Sequence, residues 1–317
     1  MISRRSVRVK VMQAVYGYER SEDALPATFK KSLQSNIHSI KDLYTYLLYS
    51  IREVANEVEK ISKIKASKFL PTEADKNYST KILSNVFIQG LNHDIDFSKE
   101  LSKNTHLDQL EETIRVHLYK ALIESATYKE YVQTDEEFNF EKDRKIIDFL
   151  FNDIMLSNEL YLEHIEDVFP SWEDDAEFVV GAVREVIKKS KDAVKLHLDK
   201  NSVKGKFLEL SEFADKLFEK VIQSREDLTD EIEPYLKNWE MDRIAVLDLI
   251  MIRMSLTEFT DFPTIPLKVT MNEYIDIAKD YSSPKSKDFV NGVLDKMMKD
   301  MIKKGTIVKT GRGLNDK

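Results

Sequence analysis

The chain has 317 residues with 48 basic and 56 acidic side chains, a formal net charge of −8 and no cysteine. The lack of cysteine excludes thiolate catalysis, cysteine-ligated metals and disulfides, and a hydrophobic content of 42% excludes a disordered polar chain. No uncharged run approaches the roughly 18 residues of a membrane span, and the N-terminus lacks the apolar core of a signal peptide. We therefore expect a soluble, cytoplasmic protein without a membrane partner.

The charge is distributed unevenly along the chain. Residues 1–20 carry five basic side chains and one acid, and residues 296–317 carry seven basic side chains and two acids. The body between them is strongly acidic. This distribution indicates that the two ends bind something that the body does not.

The periodicity of apolar residues predicts helices throughout. Only eight glycines occur, too few for the turns of an α/β or all-β fold. Apolar residues instead recur every three or four positions, for example at Leu43, Leu47, Ile51, Val54 and Val58. The fold class predicted from the residues is all-α.

The first predicted helix, residues 4–18, is both apolar and basic. Its apolar stripe contains Val7, Val11 and Val15, and a neighbouring sector holds three arginines and a tyrosine. Guanidinium groups beside an aromatic ring suit binding to a nucleic-acid backbone with a base stacked nearby. A solvated basic helix face is the alternative explanation. The residues concerned are Arg4, Arg5, Arg8 and Tyr16.

Two later segments differ from the amphipathic, acidic middle of the chain. The segment 240–259 is apolar on nearly all sides, so we expect it to be the central helix of its domain. A last helix is predicted from Ser283-Pro284 to about Ile302. Phe289 lies at the edge of its apolar stripe, one turn after Lys285, where it could stack on a base or simply pack.

Motifs of catalysis and metal binding are missing from the sequence. None of the six histidines follows an acidic residue by three positions, and no His-x-x-x-His pair occurs, so the helical di-iron and zinc signatures are absent. The glycines around Arg312 lack the rest of a phosphate-loop motif. We therefore predict no enzyme activity, no cofactor and no metal.

Five segments, in order, resemble the family of the bacterial transcription antitermination factor NusB. The N-terminal segment resembles its arginine-rich first helix, and four C-terminal segments are similar to its most typical motifs. Each motif is weak alone, but their order and spacing make the resemblance specific. The segments are Arg4–Tyr16 (RRSVRVKVMQAVY), Trp239–Arg243 (WEMDR), Ile252–Glu258 (IRMSLTE), Asn272–Lys279 (NEYIDIAK) and Phe289–Asp295 (FVNGVLD).

The resemblance implies a NusB-like pair of three-helix bundles around a central buried helix, interrupted by a helical insertion. The expected boundaries are 1–24 for the arginine-rich helix, 25–205 for the acidic insertion, 206–304 for the rest of the NusB-like domain and 305–317 for a disordered basic tail. Members of the family are normally much shorter, so the resemblance does not explain the insertion.

The resemblance also implies a function. The family binds the boxA element of ribosomal RNA transcripts together with NusE, the tenth small-subunit ribosomal protein, within the RNA polymerase antitermination complex, and it aids ribosome biogenesis. By matched position, we expect three arginines to contact phosphates and two aromatic rings to contact bases or to close that surface. Three residues just before the Phe289–Asp295 motif are expected to complete this RNA-binding surface, called the RNA edge below. These residues are Arg4, Arg5, Arg8, Tyr16, Phe289, Lys285, Ser286 and Lys287.

Some positions depart from the family or are assigned structural roles. Ser6 and Val7 stand between the arginines, and Lys285 replaces a common acid, a change that should favour RNA. Asn291 and Gly292 are expected to be structural, with the glycine allowing close packing. Arg253 and Glu258 are expected to be structural or to face NusE.

Two alternative functions are compared with this one. NusB-like domains also head ribosomal RNA cytosine methyltransferases, but those need a catalytic cysteine and a glycine-rich cofactor domain, which this sequence lacks. The other alternative is a helical scaffold that acts in ribosome assembly with RNA binding reduced or lost. A homodimer is a further option that the sequence leaves open.

Overall fold

The computed structural model describes residues 4–23, 25–76, 78–133, 139–189, 203–236 and 244–314, except for the side chains of Ala74, Val203, Lys204 and Arg312. Regular structure in these ranges is entirely helical, which confirms the all-α prediction. The helices are α1 (Arg5–Glu19), α2 (Pro26–Ala66), α3 (Glu73–Lys76), α4 (Val86–His93), α5 (Ile95–Leu101), α6 (Glu112–Glu124), α7 (Ala126–Gln133), α8 (Phe140–Phe149), α9 (Glu159–Val168), α10 (Trp172–Lys189), α11 (Val203–Gln223), α12 (Arg225–Ile232), α13 (Val246–Asp261), α14 (Leu267–Tyr281) and α15 (Ser286–Lys304).

The described chain divides into two compact units. The internal unit is His38–Phe207, and the terminal unit combines residues 4–37 with residues 208–314. The first boundary falls inside α2 and the second inside α11. The predicted insertion begins at residue 25, whereas the first turns of α2 belong to the terminal unit.

In the terminal unit, α1, the start of α2 and α11 form one group of helices. Phe29 of α2 meets Tyr18 of α1 edge to face, with ring centroids 6.0 Å apart. Lys30 Nζ lies 2.6 Å from Glu219 Oε1 of α11. Arg4, which immediately precedes α1, places its guanidinium carbon 5.0 Å from the centre of the Phe213 ring of α11.

The second group of the terminal unit is built around α13. This helix packs against α1, α12, α14 and α15. Its side chains from Ile250 to Phe259 are all buried, including the charged and polar ones. The apolar segment therefore forms the central helix, as predicted, from Val246 onwards. The Trp239–Arg243 motif lies outside the described residues.

The internal unit is organised on the rest of α2. Residues at three- and four-residue spacing on α2 are almost completely buried, among them Leu43, Leu47, Ile51, Val54 and Val58. Helix α8 packs against α4, α7 and α10, and it continues directly into a π-helical turn, Leu150–Met155.

No helix in the described ranges has the length and hydropathy needed to cross a bilayer.

The C-terminal tail is ordered in its described part, so the prediction of disorder from residue 305 is wrong up to Leu314. Gly305 ends α15 in the left-handed conformation, with φ of 68°. The Thr310 amide then donates to the carbonyl of Pro263 at 3.0 Å. Lys309 Nζ donates to the carbonyls of Glu258 and Phe262 at 3.0 and 3.1 Å. The tail thus adds donors to carbonyls at the end of α13, where the helix leaves carbonyl groups without partners within the helix.

Candidate nucleic-acid interface

The first two arginines lie at the start of α1 and are partly exposed. Arg4 stacks on Phe213 of α11. Arg5 forms an ion pair with Asp280 of α14 and retains 28% side-chain exposure. Both guanidinium groups are therefore held in place by neighbours while part of each stays accessible to a ligand.

Arg8 has a different environment, because it is buried inside the terminal unit. Its Nε and Nη2 atoms each lie 2.8 Å from one carboxylate oxygen of Glu258 on α13. Its Nη1 atom lies 3.3 Å from Glu273 Oε2, and its side chain is 2% exposed. The expectation that Arg8 contacts phosphates is therefore wrong for this structure, since the guanidinium is saturated by carboxylates.

Electrostatics explain why this buried charge is tolerated. Burial alone would lower the pKa of Arg8, but the charge and hydrogen bonds of Glu258 outweigh burial and raise the pKa above its ordinary value. Tyr274 Oη and Thr270 Oγ1 donate to the same carboxylate at 2.7 and 3.1 Å. Burial and the nearby Glu258 raise the pKa of Tyr274 well above its ordinary value, so this hydroxyl remains a donor.

A second buried pair fixes the other end of α1. Arg253 Nη1 and Nη2 lie 2.8 and 2.9 Å from the two carboxylate oxygens of Glu19. The Arg253 side chain is 5% exposed and that of Glu19 is 6% exposed. Arg253 and Glu258 therefore both have structural roles here, because each joins α13 to α1.

At the start of α15, a buried serine lies between two exposed lysines. The helix begins at Ser286 and not at Pro284, with Lys285 as its N-cap residue. Lys285 and Lys287 are exposed. Ser286 is 1% exposed, and its hydroxyl donates to Asp248 Oδ2 at 2.7 Å. Ser286 therefore positions the helix start, and its predicted place on the RNA edge is wrong.

The two predicted aromatic contacts also differ from each other. Phe289 is 8% exposed and belongs to the core, so it packs and cannot stack on a base in this structure. Tyr16 is 38% exposed and remains accessible. Of the predicted RNA-binding residues, Arg4, Arg5, Tyr16, Lys285 and Lys287 thus remain accessible to a ligand.

Gly292 does not have the packing role predicted for it. A β-carbon added at this position would meet no atom within 4 Å, and both Asn291 and Gly292 are exposed. The glycine therefore leaves open space on the surface of α15 instead of allowing a neighbouring helix to approach.

The acidic partners of this region were not predicted from the sequence. Asp248 lies in the first turn of α13 and accepts from Ser282 and Ser286 at 2.6 and 2.7 Å. Asp280 holds Arg5. An acid among the apolar residues at the start of α13 was the available signal for Asp248, because a buried carboxylate needs hydrogen-bond donors.

The accessible groups can bind anions but carry no chemistry of their own. Lys285 and Lys287 flank the start of α15, where the helix dipole adds positive potential that attracts phosphate. Helix α13 packs against both α1 and α15. Among the residues that the structure describes, no group of three or more acidic or histidine side chains could hold a metal ion.

The chain resembles known proteins over part of its length. The model of the NusB family matches residues 173–299. The chain is 42% identical over 86 residues to the transcription antitermination protein NusB of Listeria welshimeri, which covers 67% of that protein and 27% of this chain. The chain belongs to the NusB family.

Two further relatives bear the same name. The NusB of Salinibacter ruber is 44% identical over 103 residues, which are 32% of this chain and 64% of that protein. The NusB of Chloroherpeton thalassium is 38% identical over 109 residues, which are 34% of this chain and 52% of that protein. The chain thus spans less than two thirds of these two relatives. No solved structure gives a significant match.

The NusB family is non-enzymatic, in agreement with the prediction that the chain catalyses no reaction. Its match includes the start of α15, with Lys285, Lys287 and the FVNGVLD signature. It begins after α1, so the resemblance of Arg4–Tyr16 to the first NusB helix rests on the residues quoted above.

Proposed function

We propose that this chain is an RNA-binding transcription antitermination factor. It binds boxA RNA of ribosomal RNA transcripts together with NusE, within the RNA polymerase antitermination complex, and it supports processive transcription of ribosomal RNA and ribosome biogenesis. The observation that carries the proposal is the exposed pair Lys285 and Lys287 at the positively polarised start of α15, inside the segment matched by the NusB family.

The neighbouring side chains support RNA as the ligand. Asp248 holds Ser286 inside, so Lys285 and Lys287 are presented from a fixed helix start. The half-exposed Arg4 and Arg5 add guanidinium groups, and Tyr16 offers an accessible ring. Phosphate contacts give affinity, while the tyrosine provides a surface for an unpaired base.

A salt-dependence experiment tests the proposal. Binding of the full chain to boxA RNA is measured by gel shift across a salt series, with and without NusE. Lys285→Gln/Lys287→Gln is expected to weaken boxA binding and to reduce the slope of log affinity against log salt by about 0.7 for each phosphate that the variant no longer neutralises. Lys299→Gln/Lys303→Gln removes the same charge farther along α15 and should leave the slope nearly unchanged.

The alternative is a helical scaffold in ribosome assembly with reduced RNA binding. The burial of Arg8, Ser286 and Phe289 favours this alternative, because three groups expected on the RNA edge are occupied in the core. The same gel shift separates the two functions. A scaffold would bind NusE without preferring boxA over a scrambled RNA, and the lysine variant would then have the same affinity as the parent chain.

A further inference from the structure

The internal unit contains an open, basic groove that includes none of the residues predicted to bind RNA. The groove lies between α8 with its π-helical turn and the second half of α10, and its volume is about 710 Å³. Five basic side chains line it, against two acids, although the protein as a whole is acidic. The basic residues are Lys142, Arg144, Lys145, Arg184 and Lys188.

A network across the groove orients Arg184 without neutralising it. Arg184 Nε donates to Asn152 Oδ1 at 2.7 Å. The amide nitrogen of Asn152 donates in turn to Asp148 Oδ1 at 3.1 Å. The asparagine therefore donates to one oxygen of the Asp148 carboxylate and fixes one side of the guanidinium, while the terminal nitrogens of Arg184 remain for a ligand.

The other cations differ in how far they are paired. Arg144 Nη2 lies 2.5 Å from Glu141 Oε2. Within the described residues, no carboxylate lies at ion-pair distance from Lys145, Arg184 or Lys188, all of which are exposed. Three cations in one groove without carboxylate partners repel each other, so a bound anion would relieve an unfavourable charge arrangement.

The π-helical turn contributes to the shape of this groove. A π turn inserts one extra residue into the helical ladder, and such turns occur often at functional sites. Here the turn contains Asn152, which faces α10 through its bond to Arg184. The buried Ile187 supplies apolar lining.

The lining favours an extended phosphate chain as ligand. Arg184 and Lys188 are one helical turn apart, about 6 Å along α10, so they can reach successive phosphates of one strand. Guanidinium groups bind phosphate oxygens in a fork. No aromatic side chain lines the groove in the described part of the chain, so bases would not be read by stacking.

We propose that this groove binds the sugar-phosphate backbone of single-stranded RNA, without sequence preference, as a second RNA contact on the internal unit. The proposal rests on the proposed RNA-binding function and extends it to RNA beyond boxA. An acidic protein segment would also match the charge, but an exposed groove with forked donors suits phosphodiesters better than scattered carboxylates.

The test uses the full chain with three RNA probes: a minimal boxA RNA, a leader RNA that extends well beyond boxA, and an oligouridine as long as the leader. Arg184→Gln/Lys188→Gln should weaken binding to the two long probes and reduce the salt slope by about 0.7 for each phosphate released from the groove. Binding to minimal boxA should not change. Lys145→Gln/Lys188→Gln keeps the Asn152–Arg184 bond and should give the same result.

The matched control is Lys120→Gln/Lys129→Gln. It removes two exposed lysines from the same unit, on α6 and α7, outside the groove. If this control lowers the slope as much as the groove variants do, net charge explains the effect and the site is overturned. Failure of the unmodified chain to bind oligouridine would overturn it as well.

The two proposals can fail separately. If the chain shows no preference for boxA but the groove variants weaken oligouridine binding, the groove stands and the boxA function fails. If boxA binding is intact and the groove variants bind the leader with unchanged slopes, only the groove fails. Polyglutamate serves as a fourth probe, for an acidic protein ligand. If the groove variants lose binding to polyglutamate while their RNA binding is unchanged, the groove binds an acidic protein and the proposal is overturned.

Discussion

Arg8 and Glu258 are 250 residues apart in sequence and form a two-pronged ion pair in the interior of the terminal unit, with both nitrogen–oxygen distances at 2.8 Å. The pair joins α1 to the central helix α13. Its carboxylate also accepts from Tyr274 and Thr270, so every oxygen has more than one donor. Arg8 therefore stabilises the fold, although it lies on a basic helix.

Arg8→Met should destabilise the chain strongly. The substitution keeps most of the side-chain volume but leaves the Glu258 carboxylate buried without its main counter-charge, which costs about 3–5 kcal/mol. Urea denaturation measures the loss in free energy of unfolding. Arg5→Met removes an exposed ion pair and should cost less than about 1 kcal/mol.

A double variant distinguishes pairing from packing at this site. Arg8→Met/Glu258→Met removes both charges, so it should be more stable than Arg8→Met alone. The free energy of unfolding of the double variant is compared with those of Arg8→Met and Glu258→Met. If the loss in the double variant equals the sum of the two single losses, the two side chains are not coupled and the structural role assigned to Arg8 is wrong.

Ser286→Ala should lower the free energy of unfolding, whereas substitutions of the exposed lysines on either side, Lys285 and Lys287, should not. Its hydroxyl donates to the buried carboxylate of Asp248, and a hydrogen bond to a charged group contributes about 1.5–3 kcal/mol. Lys287→Gln is the neighbouring control and should leave the free energy of unfolding unchanged. Equal stability of Ser286→Ala and the parent chain would contradict this assignment.

Gly292→Ala should stabilise the protein. The position is in the middle of α15, and the added methyl group meets nothing within 4 Å, so only the higher helix propensity of alanine acts, worth about 1 kcal/mol. Thermal unfolding measures the gain. A loss of boxA or NusE binding in this more stable variant would show that a partner needs the space above the glycine.

Gly313→Ala should have the opposite effect in the tail. A β-carbon there would lie 2.0 Å from the carbonyl oxygen of Pro263, so the segment must move away. The hydrogen bond from the Thr310 amide to Pro263 should then weaken. Amide hydrogen exchange at Thr310 measures this directly, and unchanged protection would contradict the packed position of the tail.

His164 should make stability depend on pH. Burial lowers the pKa of His164 below its ordinary 6.5, against opposing effects of Glu111 and Asp167. The unfolded chain then binds more protons in acid, so the contribution is complete above pH 6.5 and is lost as the pH falls below it. His164→Gln should show a shallower decline in the free energy of unfolding, and exposed His93→Gln should follow the parent chain.

Periodicity predicted the helices but not the partners of their charged side chains. Helices α1, α13 and α15 could be predicted from three- and four-residue spacing because burial of one face leaves a local signal. The burial of Arg8 depends on a carboxylate 250 residues away. The same holds for Ser286, whose environment is set by Asp248 on another helix.

Other features depend on contacts that only the folded chain makes. The tail looked like a generic basic end, yet Lys309 uses its charge to cap the carbonyls at the end of α13. The groove of the internal unit combines α8 with α10, which are separated in sequence by the π-helical turn and α9. Composition indicated only an acidic insertion, because the net charge of a long segment does not reveal a local cluster of basic side chains within it.

The discontinuous terminal unit has a consequence for synthesis on the ribosome. Helix α1 is made before α13, and Glu258 follows Arg8 by 250 residues, a delay of roughly 12–50 s at typical translation rates of about 5–20 residues per second. During that interval Val7, Val11 and Val15, which end up almost fully buried, have no α13 to cover them. The contiguous internal unit can fold during this interval. The nascent chain then contains a folded internal unit, while the apolar side of α1 is still exposed and accessible to chaperones.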